Sequence, residues 1–265
     1  MPSELAAGES VAADRRNAVT TAAEALLRAR STRSLLAALP DGAAPIDEAE
    51  VYAIQALVAG QLGPVVAWKV GAASATATPF YAPIHAATLW NDGDRLPADR
   101  FHLIGVEAEI AYRLGHDLPP RERPYTRAEI LAAVASMHPA IEIADGRFVD
   151  RTAVDPLSQW ADQLSHGALV VGPAQSTWQA IDPVREPVRL TIQDVVRAEA
   201  VGGNSAVDPV RLLEWLANVG SHALGGLRAG QVVTTGSCTD TLFEAPGIRI
   251  RAEFANLGQI AIAIA

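Results

Sequence analysis

Apolar and polar residues alternate along residues 105–112, and this is the clearest pattern in the chain. Alternation of this kind predicts a β-strand, in which residues two apart lie on the same face with Cα atoms about 7 Å apart. Glu107 and Glu109 would share one face, and their aliphatic neighbours would occupy the other. A second β-type stretch, residues 140–145, places Glu142 between two isoleucines. The pattern therefore predicts three acids on two strands.

Two interpretations of these acids are open. Carboxylates on a strand most often form a solvated polar face, and the spacing of Glu107 and Glu109 alone favours that interpretation. Carboxylates in an otherwise apolar segment also repel each other unless a cation lies between them. Oxygen ligands without His or Cys select Mg²⁺, Mn²⁺ or Ca²⁺ over Zn²⁺, and the spacing here differs from that of a calcium-binding loop. The second interpretation is therefore a divalent-metal site.

The first part of the chain, residues 1–64, predicts a small helical cap. Residues 14–39 are rich in Ala and Leu, which favour a helix. A second helix is expected after Asp47, because Glu50 follows three residues later as in a capping box. The Gly-Pro pair at 63–64 would end that helix.

The remainder, residues 65–265, predicts a β-rich domain, so the fold class expected for the whole chain is α+β. Residues 65–71 form a β-type run that contains Lys69, and residues 72–83 are expected to form a loop that could border a pocket. An unpaired lysine is costly to bury, so Lys69 is either an edge-strand or snorkelling side chain or part of a polar site. Further along we expect helices at 126–134, 157–164 and 209–224, and strands at 168–171, 231–235, 248–254 and 259–265.

Composition and charge exclude several classes of function. The formal charge of −9 and the sequence pI near 5.1 argue against nucleic acid or an anionic membrane as a partner. The chain has no uninterrupted apolar run of about 18 residues and no apolar signal region at its N-terminus, so the expected location is the cytoplasm. Cys238 is the single cysteine, which excludes an internal disulfide and a cysteine-based metal cluster. Walker-type, Gly-x-Gly-x-x-Gly and Gly-x-Ser-x-Gly motifs are absent from the sequence.

A set of short segments occurs in a fixed order along the chain. The segments are residues 68–71, 105–110, 139–145, 161–162, 209–224, 236–239 and 252–258. Together they resemble the 2-keto-4-pentenoate hydratase and 4-oxalocrotonate decarboxylase family, which is part of the fumarylacetoacetate hydrolase superfamily. The resemblance runs from about Ile46 to residue 265, and it rests on the ordered set, because Glu-x-Glu alone would be a weak motif.

The resemblance implies a fold, a metal and a set of functional residues. The fold would be a mixed β-roll with a small helical N-terminal region, in a protein that is usually a homo-oligomer. The metal would be Mg²⁺ or Mn²⁺. The implied metal ligands are Glu107, Glu109 and Glu142; the implied catalytic residues are Lys69 and Asp162; and the implied substrate-binding residues are Ser74, Gln163 and Ser237.

The implied activity is the addition of water to a 2-hydroxy-2,4-dienoate or its unsaturated 2-oxo tautomer. Decarboxylation or enol–keto tautomerisation of a related 2-oxo acid at the same metal is the alternative, since the metal would do the same work in each reaction. A non-catalytic partner subunit is a third interpretation, against which the retention of three acids and Lys69 argues.

Two departures from the family pattern and two differences from its hydrolase relatives bear on specificity. The segment after Gly71 is shorter and richer in Ala than is usual in the family, and Gln163 stands where the family commonly has Asn. Both changes would border the substrate. Val106 replaces the His that the hydrolase relatives often carry before Glu-x-Glu, and Glu142 replaces their Asp. The resemblance therefore favours the hydratase–decarboxylase branch over carbon–carbon hydrolysis.

Overall fold

The computed structural model describes the backbone from residue 2 and the side chains from residue 12 up to residue 265. Within these residues the helices are α1 (Pro2–Thr32), α2 (Glu48–Leu62), α3 (Arg127–Ala133), α4 (Pro156–Ala161) and α5 (Pro209–Trp215). The strands are β1 (Val65–Gly71), β2 (Phe80–His85), β3 (Leu89–Asn91), β4 (Arg95–Leu96), β5 (Gly105–Leu114), β6 (Val134–Ala144), β7 (His166–Val171), β8 (Pro187–Ile192), β9 (Val195–Val201), β10 (Val232–Ser237), β11 (Leu242–Phe243), β12 (Ile248–Phe254) and β13 (Gly258–Ile264).

The chain forms two compact units. The helical unit comprises Met1–Gly63 together with Gly146–Ser165, and the β unit comprises Pro64–Asp145 together with His166–Ala265. The helical unit thus contains a segment from the middle of the chain, which the sequence pattern does not separate from the β-rich domain.

The helical unit has its own apolar core. Val51, Ile54 and Val58 of α2 pack with Leu26 of α1 and with Phe148 from the middle segment, and all are buried. Burial of each such side chain contributes about 1.5–3 kcal/mol to folding, so the apolar stripe of α2 holds the unit together.

The β unit contains two sheets of mixed strand direction. The larger sheet has the order β2-β1-β10-β5-β6-β7-β3, with β11 paired to β5, and the smaller has the order β4-β13-β12-β8-β9. Parallel pairs such as β1 with β10 lie beside antiparallel pairs such as β5 with β6. The expected α+β class with mixed sheets is therefore confirmed.

The capping signals in the sequence mark real helix ends. Asp47 accepts a hydrogen bond from the backbone N–H of Glu50 at 2.9 Å and begins α2. Thr126 and Glu129 form a reciprocal capping box at the start of α3. These local bonds satisfy N–H groups that a helix leaves without partners at its first turn, so the boundary is readable from sequence.

Other boundaries differ from the expectation. Helix α1 ends at Thr32 and does not reach residue 39, because Arg33 adopts a left-handed backbone with φ 58°. The loop expected at 72–83 ends early, since β2 begins at Phe80; this strand tolerates Pro83 because it lies at the edge of the sheet. Strand β6 begins at Val134 and runs through Pro139, well before residue 140.

The helix expected at 209–224 is also shorter and less regular. Helix α5 ends at Trp215, a π-helical turn follows over Leu216–Gly220, and Gly225 closes the segment with φ 85°. No helix in the described part of the chain is long and apolar enough to cross a membrane.

Candidate metal centre

Three glutamates meet in the middle of the larger sheet. Strands β5 and β6 are antiparallel with Glu107 directly opposite Glu142, and Glu109 lies two residues further along the same face. One carboxylate oxygen of each lies within 4.8 Å of one from each of the others. The strand alternation seen in the sequence and the β5–β6 register together bring these acids into one cluster.

Burial decides between the two interpretations of these acids. Glu109 is 1% exposed and Glu142 is 0% exposed, so these two carboxylates are not part of a solvated face. Glu107 is half-buried. The solvated-face interpretation is therefore wrong for two of the three acids.

Lys69 belongs to the same cluster. Its strand β1 lies between β2 and β10, so Lys69 is not an edge-strand residue. The Nζ atom donates to Oε1 of Glu142 at 2.6 Å. Burial acts to lower the pKa of Lys69, but Glu142, Glu107 and Glu109 together raise it above its ordinary value. Lys69 is therefore a half-buried ammonium group, with 15% of its side chain exposed, held by the acids.

Residues of β10 and the following turn hold the two glutamates of β5. Thr234 donates its hydroxyl to Oε2 of Glu109, and the N–H of Gly236 donates to the same oxygen at 3.1 Å. Thr241 donates its hydroxyl to Oε1 of Glu107. Charge-assisted hydrogen bonds of this type contribute about 1.5–3 kcal/mol each, so they partly offset the repulsion between the acids.

Two glycines allow this arrangement. Gly236 has φ 90°, a left-handed conformation that suits glycine, and it lies where the β10–β5 register shifts. A Cβ atom on Gly105 would lie 2.8 Å from Cγ2 of Thr241, so glycine lets the turn approach β5 closely enough for Thr241 to reach Glu107.

The electrostatics of the cluster fit a divalent cation. Burial raises the pKa of Glu109 well above its ordinary value, and the neighbouring carboxylates Glu142 and Glu107 raise it further. Burial also acts to raise the pKa of Glu142, but Lys69 and His166 hold that pKa below its usual value. Oε2 of Glu142 is buried and has no hydrogen-bond partner among the described residues. An all-oxygen set with excess negative charge and an orphaned carboxylate oxygen suits a hard cation such as Mg²⁺.

The other predicted site residues lie in three places. Ser237 pairs with Glu109 across β10 and β5, while its hydroxyl donates to the carbonyl of Asp240 at 3.1 Å. Ser74 is exposed in the loop after β1 and accepts from the N–H of Ala77 at 3.2 Å. The substrate-binding roles of both serines stay predictions.

Asp162 and Gln163 belong to the helical unit. The carboxylate of Asp162 accepts from the side chain of Arg147 and, at 2.8 Å, from its backbone N–H; both residues are buried. Gln163 is also buried and accepts from Arg30. The catalytic role of Asp162 and the substrate-binding role of Gln163 stay predictions.

The sequence pattern does not identify three residues that contact the glutamates: His166, Thr234 and Thr241. His166 begins β7, the strand beside Glu142, and its Nδ1 lies 3.0 Å from Oε1 of that residue. The one signal for His166 in the sequence is that it directly precedes an apolar strand. That signal predicts that His166 lies beside another buried strand, but it does not predict which one. The threonines bracket the Gly236 turn, and only the strand pairing reveals what their hydroxyls contact.

The fold and the site define a class: α+β proteins with an acidic, lysine-containing candidate metal centre on a mixed β-sheet. The chain belongs to the fumarylacetoacetate (FAA) hydrolase C-terminal family, whose model matches residues 60–265. Lys69 and the three glutamates all lie within the matched region. The resemblance seen in the sequence is confirmed.

Individual relatives cover nearly the whole chain. The protein is 30% identical over 268 residues to the TodF product hydratase of Pseudomonas putida, covering 95% of this chain and 97% of that one. It is 26% identical over 250 residues to a 2-keto-4-pentenoate hydratase of Paraburkholderia xenovorans, covering 90% and 92%. The solved structure of 4-oxalocrotonate decarboxylase from Pseudomonas putida G7, complexed with magnesium and adipate, matches with a TM-score of 0.83 at 21% identity. That structure covers 94% of this chain and 98% of its own, and it shows that the fold is shared.

Proposed function

We propose that this protein is a divalent-metal-dependent hydratase, a lyase that adds water to a 2-hydroxy-2,4-dienoate or the corresponding unsaturated 2-oxo acid, as in the degradation of aromatic compounds. The observation that carries the proposal is the convergence of three buried or half-buried glutamates within 4.8 Å, beside a half-buried lysine. Hydratases among the relatives support the reaction class.

Glu107, Glu109 and Glu142 would hold Mg²⁺ or Mn²⁺ through their carboxylate oxygens. A divalent ion there would stabilise the negative charge that develops on the oxygen of an oxo acid during the reaction. The donors Thr234, Gly236 and Thr241 keep the glutamates in place, so the site is assembled before substrate arrives.

Lys69 would act as a hydrogen-bond donor and as a counter-charge. Because the surrounding acids raise its pKa, it is an ammonium group in the folded protein and has no lone pair with which to accept a proton. It can donate a hydrogen bond to a substrate oxygen or to the substrate carboxylate. With a divalent ion present, the ion and the lysine together balance the three carboxylates.

Decarboxylation or tautomerisation of a related 2-oxo acid is the second candidate. Both reactions also place negative charge on an oxygen next to the reacting carbon, so the same residues would serve. The shared fold with a 4-oxalocrotonate decarboxylase motivates the comparison. A non-catalytic subunit that retains the fold is the remaining alternative.

Metal binding is the first test. We expect calorimetry to show binding of Mg²⁺ or Mn²⁺ to the wild-type protein and loss of that binding in Glu107→Ala and Glu142→Ala. Glu199→Ala, which removes an exposed glutamate of β9 outside the cluster, is the matched control and should retain binding. Unchanged affinity in both glutamate variants would refute the site assignment.

A substrate panel is the second test. Consumption of 2-hydroxydienoates is followed by ultraviolet absorbance with Mg²⁺ or Mn²⁺ present, and release of CO₂ is measured in parallel. Loss of absorbance without CO₂, with a product heavier by one water, supports the hydratase. Loss of absorbance with a product of unchanged mass supports the tautomerase, and stoichiometric CO₂ supports the decarboxylase. If no 2-oxo acid is turned over by metal-loaded protein, the non-catalytic alternative replaces both.

The proposal includes a homo-oligomer located in the cytoplasm. Family resemblance motivates both statements. Light scattering on the purified protein tests the assembly, and cell fractionation tests the location.

A further inference from the structure

His166 contacts the candidate metal centre from the side opposite Lys69. It is 1% exposed and begins β7, the neighbour of β6. Its Nδ1 lies 3.0 Å from Oε1 of Glu142, and its Nε2 lies 3.0 Å from Oγ1 of Thr88. The hydroxyl of Thr88 also lies 3.1 Å from the carbonyl oxygen of His85, to which it can donate.

The ring orientation of His166 follows from what each neighbour can offer. Oε1 of Glu142 already accepts from the ammonium group of Lys69, and a carboxylate oxygen has no hydrogen to give. Nδ1 must therefore carry the hydrogen, because a lone pair on Nδ1 would face another lone pair. The hydroxyl of Thr88 can serve Nε2 either as acceptor or as donor, so it fits the ring in either state.

Glu142 thus has two chemically different oxygens. Oε1 receives two donors, Lys69 and His166, whereas Oε2 is buried and has no hydrogen-bond partner in the described chain. Lys69 alone would fix Oε1 poorly, since its long flexible side chain ends in a freely rotating ammonium group. The planar ring of His166, held at its far end by Thr88, fixes the direction of the carboxylate.

We propose that His166 is a positioning residue of the metal centre: it holds Oε1 of Glu142 through its Nδ1 hydrogen and so presents Oε2 as a single ligand atom. Thr88 orients the ring. The proposal deepens the proposed function and rests on the metal site assigned there, although His166 itself is not placed in contact with substrate or metal.

The test uses three variants of the full-length protein and calorimetric titration with Mg²⁺ and with Mn²⁺. His166→Leu removes both ring nitrogens and should weaken metal binding about 10–100-fold, as loss of outer hydrogen-bond partners commonly does. His166→Asn places an amide N–H where Nδ1 stood and should restore affinity to within about threefold of wild type. Thr88→Val keeps the shape but removes the hydroxyl, and should give a smaller loss in the same direction.

The outcomes separate this proposal from the metal site itself. If the wild-type protein binds neither ion, the site assignment fails whatever His166 does. If the wild-type protein binds metal and His166→Leu binds equally well, or if His166→Asn loses as much as His166→Leu, the positioning role is overturned. Circular dichroism and melting in chelator check that each variant folds.

A measurement on the unmodified protein keeps the proposal falsifiable if the variants fail to fold. Nitrogen-15 NMR of histidine-labelled, metal-free protein reports which ring nitrogen carries hydrogen. We expect a hydrogen on Nδ1 of His166. A neutral ring with its hydrogen only on Nε2 would contradict the proposed bond to Glu142.

Discussion

In each glutamate of the candidate centre, one carboxylate oxygen accepts a hydrogen bond from the protein. The size of the repulsion between the three carboxylates explains why these bonds are needed. Two ionised carboxylates with oxygens within 4.8 Å repel by about 3–4 kcal/mol at an effective dielectric constant of about 20. Three such pairs together are about as large as what the hydrogen bonds to the carboxylates, at about 1.5–3 kcal/mol each, can offset, and the cost of burying the charges comes in addition. The metal-free site relieves the excess at Glu109, whose carboxyl has the raised pKa.

Metal binding should therefore be linked to proton release from Glu109. Its pKa in the folded protein lies well above 4.5, and a metal binds the ionised form. We expect affinity for Mg²⁺ to rise with pH from about the ordinary glutamate value up through the raised pKa, and then to level off. Calorimetry in buffers with different ionisation enthalpies measures the released proton.

The same shift predicts the pH dependence of stability without metal. A folded-state pKa raised above the unfolded value means that the native state binds more protons, so the unfolding free energy falls as pH rises through the raised pKa. Saturating metal should remove this part of the pH dependence. Affinity that does not vary with pH, together with no proton release, would contradict the assignment of Glu109.

At the scale of the elements, the β10–β11 connection keeps the acids of β5 in place. The N–H of Cys238 donates to the carbonyl of Ala108 at 2.8 Å, and Leu242 pairs with Val106. The turn is therefore tied to β5 at Ala108, between the two glutamates, and at Val106, next to Glu107. Its contribution to the site is geometric, since it places Thr241 over Glu107.

Substitution of Gly105 tests this geometry. An added Cβ would lie 2.8 Å from Cγ2 of Thr241, so Gly105→Ala should push the turn away and weaken metal binding, by about 10-fold if the bond to Glu107 is lost. Thr241→Ser keeps the hydroxyl and removes that methyl group. The double variant Gly105→Ala with Thr241→Ser should recover part of the loss, and calorimetry compares all three.

The expected recovery is partial because the added Cβ would also lie 3.1 Å from Phe243 and 3.2 Å from Ala144. Equal affinity in wild type and Gly105→Ala would show that the turn adjusts freely. A double variant no better than Gly105→Ala would show that the methyl group of Thr241 is not the obstacle.

Elements were predictable where a local signal defines them. The alternation of residues 105–112 predicts β5, and the capping boxes predict the starts of α2 and α3, because each signal lies within one turn or one strand. The start of β6 at Val134 was not predictable, since Pro139 indicates a break and only pairing with β5 and β7 on either side overrides it.

At the scale of the whole molecule, the helical unit contributes a buried ion pair. Arg147 and Asp162 are 4% and 2% exposed, and the backbone carbonyl of Asp162 also accepts from Arg147 at 2.7 Å. Both residues lie in Gly146–Ser165, the segment that the middle of the chain adds to this unit. Their pairing ties the two ends of that segment together.

Asp162→Leu should lower the free energy of unfolding by about 3–5 kcal/mol, because it removes the carboxylate from the buried guanidinium group of Arg147. The double variant Arg147→Met with Asp162→Leu should recover most of the loss, since neither charge is then buried. Guanidinium unfolding measures both. Activity of the stable double variant then tests the catalytic role of Asp162: retention assigns the residue to stability alone, and loss supports catalysis.

The site was predictable in part. The three glutamates and Lys69 were identified from the strand pattern and the resemblance, but His166 and the threonines were not, because their contacts depend on strand order across β1, β10, β5, β6 and β7. The sequence pattern predicts which face of a strand a side chain occupies. It does not predict which strand lies alongside, because that depends on pairing between distant parts of the chain.

The all-oxygen ligand set has a practical consequence. In the described part of the chain, the cluster of candidate ligands consists of glutamates alone, and the imidazole of His166 directs a hydrogen, not a lone pair, toward Glu142. Oxygen ligands suit hard cations, but the affinity of a given site still rises from Mn²⁺ toward Ni²⁺ and Cu²⁺, so the ligand type alone does not exclude those ions. Occupancy in a cell would then follow abundance, which favours magnesium. A preparation purified on nickel resin would instead carry nickel taken up during purification. It should therefore be stripped with chelator and reloaded before any rate is compared.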